Sequence, residues 1–197
     1  MGLMRRISSA LIDAAEHLYY ASHRRGDIVD WVAGELAPLA PTDAVLDFGG
    51  GDGHVSRGLR SRIGGQFLVA DSSQRVLRKM PRGAGVTPVQ VSPLTQLPIR
   101  TGCLAAAVLV DVLHHIRRIE ETLTELIRCL RPDGVLTIVE FDRRRLTTQV
   151  FGVCVRMSGR RCCYYTPSEL AGLLRTRDLR VSVTRLDGLR YGLSARR

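Results

Sequence analysis

The sequence predicts an α/β fold. Its frame is a seven-stranded, mostly parallel sheet with helices on both faces and a C-terminal antiparallel hairpin. Three observations predict it. Residues 44–54 read as a short buried strand, a glycine turn and the start of a helix. Apolar strand-like runs and amphipathic helical stretches then alternate along the chain. Asp187-Gly188, between two strand-like runs, is a two-residue hairpin signal.

The elements follow in order. Residues 3–20 and 27–36 have helical spacing, the second stretch closed by Pro38 and Pro41. Residues 44–48 form the first strand, and Val45, Leu46 and Phe48 suit a strand covered on both faces. A helix is expected near 55–62, a second strand at 66–70 and a helix near 74–80. A weaker strand spans 86–91, and the fully apolar run 105–110 is the fourth. Residues 119–130 form a helix with Leu123, Leu126, Ile127 and Leu130 on one face. Arg131-Pro132-Asp133-Gly134 reads as a turn before a fifth strand at 135–141. Thr166 is placed to cap a helix that opens on Pro167 and runs to about Leu174. Strands at 179–185 and 189–195 close the sheet.

Composition narrows the class. The 197 residues suit one domain, 1–197, with 45% hydrophobic content and no internal repeat. No apolar run reaches the ~18 residues of a membrane span. The basic N-terminus leads into an amphipathic stretch carrying Asp13 and Glu16, unlike a signal peptide. Five cysteines, two of them adjacent (Cys162-Cys163), lack zinc spacing, so a reduced cytoplasmic protein without a structural metal is expected. Charge is uneven. Residues 1–142 balance 16 basic against 16 acidic side chains, whereas residues 143–197 hold 13 arginines against Glu169, Asp178 and Asp187. A solvated face and attraction of an anionic partner both account for that clustering.

The glycine turn carries the chemistry. A dinucleotide site needs G-x-G-x-x-G, so that pyrophosphate rests on a helix N-terminus. Counting from Gly49 the last position is His54, and from Gly51 it is Ser56, so the pattern fails. The spacing present, from Asp47 through Gly49, Gly51 and Gly53, is D-x-G-x-G-x-G. Glycines there let backbone approach a ligand, although a structural strand-to-helix turn uses the same residues. About 24 residues after Asp47, Asp71 ends the second strand, where a carboxylate accepts hydrogen bonds from a ribose. Asp71 also has the position of a helix N-cap, a task open to Ser72 or Ser73.

The turn resembles the first motif of class I S-adenosylmethionine-dependent methyltransferases. Leu97-Pro98, Asp111-Val112-Leu113-His114-His115-Ile116, Leu130 to Leu136, and Tyr165-Thr166-Pro167-Ser168-Glu169-Leu170 look like that family's later blocks. The similarity is to its small-molecule members related to ubiquinone and menaquinone biosynthesis enzymes, from about residue 42 to the end. It implies a Rossmann-like methyltransferase fold, with N-terminal helices in 1–41 and a segment at 142–165 over the acceptor site. It implies S-adenosylmethionine held by Asp47, Gly49, Gly50, Gly51, Asp71, Ser72 and Asp111. The family commonly carries an acid near residue 92 for the adenine amino group. This chain has Ser92 instead, so Ser92 or backbone takes that position.

A sulfonium methyl is already activated, so transfer is an in-line displacement that mainly needs alignment and exclusion of water. A base is needed only where the acceptor must lose a proton, and Asp111, His114 and His115 are the candidates after strand four. No nucleophile elbow supports a hydrolase, and the adjacent histidines lack the spacing of a helical metal site. Arg160, Arg161 and Tyr165 are the candidate acceptor contacts, in a segment mixing aromatics with six arginines. That mixture suits an anionic or amphiphilic small molecule. RNA methylation and a non-catalytic, cofactor-binding accessory role are the alternatives. Against RNA, no Asn/Asp-Pro-Pro-aromatic block follows strand four.

Overall fold

The computed structural model describes residues 25–36, 39–81, 83, 85–92, 95–157 and 162–197. In chain order its elements are α1 (Arg25–Leu36), β1 (Ala44–Phe48), α2 (His54–Ile63), β2 (Gln66–Asp71), α3 (Gln74–Leu77), β3 (Val86–Gln90) and β4 (Leu104–Val110). After them come α4 (Ile119–Cys129), β5 (Leu130–Phe141), α5 (Leu146–Met157), α6 (Pro167–Arg175), β6 (Arg180–Arg185) and β7 (Arg190–Arg196). The helix expected at 3–20 lies outside the described residues.

The seven strands form one sheet in the order β3-β2-β1-β4-β5-β7-β6. All pairings are parallel except those of β7, which runs antiparallel to both β5 and β6. The β6–β7 hairpin closes on Asp187, whose Oδ1 accepts from the backbone N–H groups of Leu189 and Arg190 at 2.6 and 2.7 Å. A side chain thus does what turn backbone alone would leave undone. The order changes direction at β1 and β4, so the first connections run outward on one side and the rest on the other. That opens the crevice where ligands of such sheets sit, at the carboxyl ends of β1 and β4.

Both faces are covered because β-strand side chains alternate. On β4, Ala107 and Leu109 join one core with Leu46, Phe48, Leu123, Leu126, Leu170 and Leu174. Ala106 and Val108 face the other way, onto Ile28, Val32, Leu36 and Leu59. Helices α4 and α6 therefore cover one face, and α1 and α2 the other. Helix α6 starts as its sequence dictates. Thr166 accepts from the Glu169 N–H while Glu169 reaches back to the Thr166 N–H, with Pro167 in the first turn.

Three expectations are corrected. Helix α3 is four residues long, and its tail to Met80 continues with i→i−3 bonds instead of α-helical ones. Residues 131–134 are not a turn before the strand. Strand β5 starts at Leu130, opposite Leu104, and Val135 is next opposite Ala106, so the four intervening residues bulge outward within it. The Arg131 guanidinium anchors that bulge on Asp43 at 2.6 Å. Finally, the segment expected only as a cover at 142–165 contains helix α5. Its sequence, rich in Val and Thr with a central Gly152, disfavours a helix by local preference. Packing supplies what propensity does not: Thr148, Gly152 and Val155 lie on one inward face, and Gly152 abuts the Tyr164 ring.

Candidate active site

At the end of β1 the chain turns through Gly49 (φ 72°), Gly50 and Gly51 (φ 57°). Gly49 donates its N–H to the Ala70 carbonyl at 2.6 Å, locking the turn onto β2. A Cβ at Gly49 would stand 2.1 Å from a Val112 methyl, which ties the turn to the loop after β4. Gly50 is glycine for another reason: a Cβ there would lie 2.4–2.6 Å from the Asp47 carboxyl group.

Asp47 is not aimed into the turn's open side. Its carboxyl group lies beneath the turn, 1% exposed, and accepts from Ser56 Oγ at 2.6 Å. Burial pushes its pKa up to about 6, against the smaller opposing effect of the Ser56 hydrogen bonds. Asp71 stands at the rim, half-buried. Its Oδ2 accepts from the Gly51 N–H at 3.2 Å and its Oδ1 from the Ser73 N–H at 2.7 Å. The N-cap of α3 is Ser73, not Asp71. Ser72 and Ser92 are both exposed beside it, since Val91 donates to the Asp71 carbonyl and Gln90 Nε2 to that of Ser72.

A second cluster lies at the carboxyl ends of β4 and β5. Asp111 is held at φ 52°, an uncommon backbone state for a residue with a side chain. Its carboxyl pKa is pushed up to about 7 by burial, while the Arg190 guanidinium, with Nε 3.5 Å from Oδ1, opposes the rise. His114 is 4% exposed, and its Nδ1 sits 2.8 Å from Glu140 Oε1. Glu140 is fully buried and also accepts from the backbone N–H groups of His114 and Phe141. The Nδ1 contact with that carboxylate orients the ring. Around that ring stand Tyr164 at 5.0 Å, Phe141 at 5.8 Å and the exposed His115 at 4.1 Å between centroids.

A family model described as a methyltransferase domain matches residues 20–182 of this chain. The chain belongs to the methyltransferase-domain family.

Its class is the S-adenosylmethionine-dependent one. The ubiquinone/menaquinone biosynthesis C-methyltransferase of Chromobacterium violaceum is 30% identical across 51% of this chain and 44% of that protein. The enzyme of the same description from Neisseria meningitidis serogroup C is 29% identical across 54% and 46%. The chain thus spans about half the length of the curated relatives it matches. Among solved structures, a SAM-dependent methyltransferase from Aquifex aeolicus superposes with a TM-score of 0.68 at 18% identity, covering 85% of this chain and 88% of that one. A geranyl diphosphate methyltransferase in complex with SAM reaches 0.74 at 16% identity, covering 86% and 84%. At these identities the likeness is one of fold.

Within this methyltransferase domain the expected cofactor residues are adjacent: the glycine turn, Asp71, Ser72 and Ser92 meet at the ends of β1, β2 and β3. The donor set fits S-adenosylmethionine. Each Asp71 oxygen accepts one backbone N–H and retains a lone pair, as a ribose diol requires. Asp111 and His114 share the second cluster, and His115 is exposed beside the His114 ring. The Tyr165 carbonyl accepts from the Tyr191 hydroxyl and the Arg143 N–H. Arg160 and Arg161 lie outside the described residues. Two residues of the second cluster were missed from sequence. Glu140 had a signal, a lone charge ending the apolar run of β5. Arg190 had none among the 13 arginines of residues 143–197.

Proposed function

We propose that this methyltransferase moves the methyl group of S-adenosylmethionine to a nucleophile of a small-molecule acceptor. The methionine half of the cofactor lies along Gly49–Gly51, and its ribose is held by Asp71. The observation that supports this most is the Asp71 carboxylate bonded to the Gly51 N–H at 3.2 Å, an acid and a bare backbone turn brought together at one sheet edge. The cofactor supplies an activated methyl group. The chain supplies the rest: the turn fixes where the sulfonium sits, Ser72 and Ser92 bracket the adenosine end, and Asp111 borders the acceptor side. Asp47 supports the turn from below and makes glycine necessary at Gly50.

His114 is the proton acceptor for an acceptor group that must lose a proton. Glu140 is its positioning residue, one oxygen on the ring Nδ1 and the other accepting from the His114 backbone N–H. A carboxylate on Nδ1 holds the ring in one orientation, the arrangement that general-base histidines use. A small acceptor is favoured over RNA because the aromatic side chains of the 142–165 cover turn inward. Tyr164 is buried against His114, and Phe151 is half-buried. Bases stack on exposed rings. A labelled-methyl assay with separate metabolite-extract and RNA arms tests the reading. Label in small molecules and not in RNA is expected. Label in RNA alone contradicts it, and label in neither supports the accessory-subunit alternative.

A further inference from the structure

Helix α5 carries two apolar faces, and among the described residues only one is packed against the fold. Thr148, Gly152 and Val155 face inward and are buried. Leu146, Val150, Val153 and Met157 face outward, 74%, 56%, 46% and 74% exposed. Their spacing of four, three and four places them within about 60° of one another on a helix of 3.6 residues per turn. Such an exposed aliphatic ridge, rimmed by polar groups, marks a surface that meets something apolar.

Charge says what that is. Arg143, Arg144 and Arg145 precede the ridge, and Arg156 flanks it. Residues 142–157 hold four arginines and one acid, Asp142. Arg143 and Arg144 are ion-paired with Glu169 and Asp142 yet remain more than half exposed. We infer that α5 docks this chain on an anionic lipid surface, its aliphatic ridge in the headgroup boundary and its arginines on lipid phosphates. A second copy of the chain fits less well, since a two-fold contact would set arginine against arginine. RNA fits less well because the ridge is aliphatic and the rings point inward. No helix among the described residues is long and apolar enough to cross a membrane.

The test needs no methyl transfer, so its failure is separate from that of the proposed activity. The full chain is sedimented with vesicles of phosphatidylcholine, with and without phosphatidylglycerol, at low and high salt. Binding to anionic vesicles, weakened by salt, is expected. Val150→Glu and Met157→Glu should each lower partitioning about tenfold or more. Arg156→Gln should lower it about fivefold, as for one basic contact. Val183→Glu, exposed on β6, should leave it unchanged. All four positions are exposed, and Met157→Gln is a milder substitute should a glutamate variant lose its circular dichroism signal. Equal binding to neutral vesicles, or binding indifferent to the glutamate variants, overturns the inference. So does an absence of vesicle binding, including the cases where the ridge variants abolish dimer formation or RNA binding instead.

Discussion

Single residues carry the sharpest consequences, and Asp47 is the clearest. Its pKa of about 6 in the fold, against 3.8 for an ordinary carboxyl, is set first by burial. Below about pH 4 the group is protonated in the folded and the unfolded chain alike, and its contribution to stability is fully present. As pH rises through about 6 the folded state must ionise a buried acid, and that contribution is lost. Asp47→Asn keeps the Ser56 hydrogen bond without the charge. In cofactor-free protein, its thermal midpoint relative to wild type should climb between pH 4 and 8, by an equivalent on the order of 2–3 kcal/mol. Parallel curves would contradict the burial account. His114 makes a kinetic prediction. If the acceptor loses a proton, His114→Asn should cut kcat by about 10²–10⁴ and abolish the rise in rate near neutral pH. His115→Asn should retain both. Glu140→Gln should lower kcat with cofactor affinity nearly unchanged, as a lost positioning contact requires. Residue types announced Asp47 and Asp71 because each ends a strand. They could not announce that one acid lies below the turn and the other at its rim, which depends on how Ser56 and Gly51 meet them.

At the scale of elements, two contacts are open to direct test. Removing the α6 cap with Thr166→Ala leaves first-turn N–H groups without their partner, and unfolding free energy should fall by about 0.5–2 kcal/mol. That cap was legible in sequence, since Thr166, Pro167 and Glu169 are a purely local pattern. The other contact was not legible. A Cβ at Gly192 on β7 would lie 2.5–2.8 Å from the Trp31 ring of α1, a meeting across 161 positions of chain. Gly192→Ala should destabilise by about 1–3 kcal/mol through overpacking. Trp31→Leu in the same chain should recover part of that loss, and additive effects in the double variant would contradict the contact. Helix α5 marks the limit of local reading. Its Val and Thr content argues for a strand, and the inward packing of Thr148, Gly152 and Val155 favours the helix.

For the whole molecule, the seven-strand alternation and the terminal hairpin were legible because strand period, glycine turns and Asp187-Gly188 are local signals. Sheet order was legible only through resemblance, since nothing in a run of apolar residues names its neighbour. The pairing of Glu140 with His114 and of Arg190 with Asp111 follows from that order: β4, β5 and β7 must be adjacent for the cluster to exist. The central claim is that the glycine turn and Asp71 bind S-adenosylmethionine. Titration calorimetry of the purified chain with S-adenosylmethionine, beside a folded Asp71→Ala variant, tests it most directly. The prediction is one site per chain, weakened in the variant by about 1.5–3 kcal/mol for lost hydrogen bonds to a charged group. Equal affinity in the two proteins would contradict the assignment, and binding of a nicotinamide dinucleotide in place of S-adenosylmethionine would contradict the whole reading of the turn.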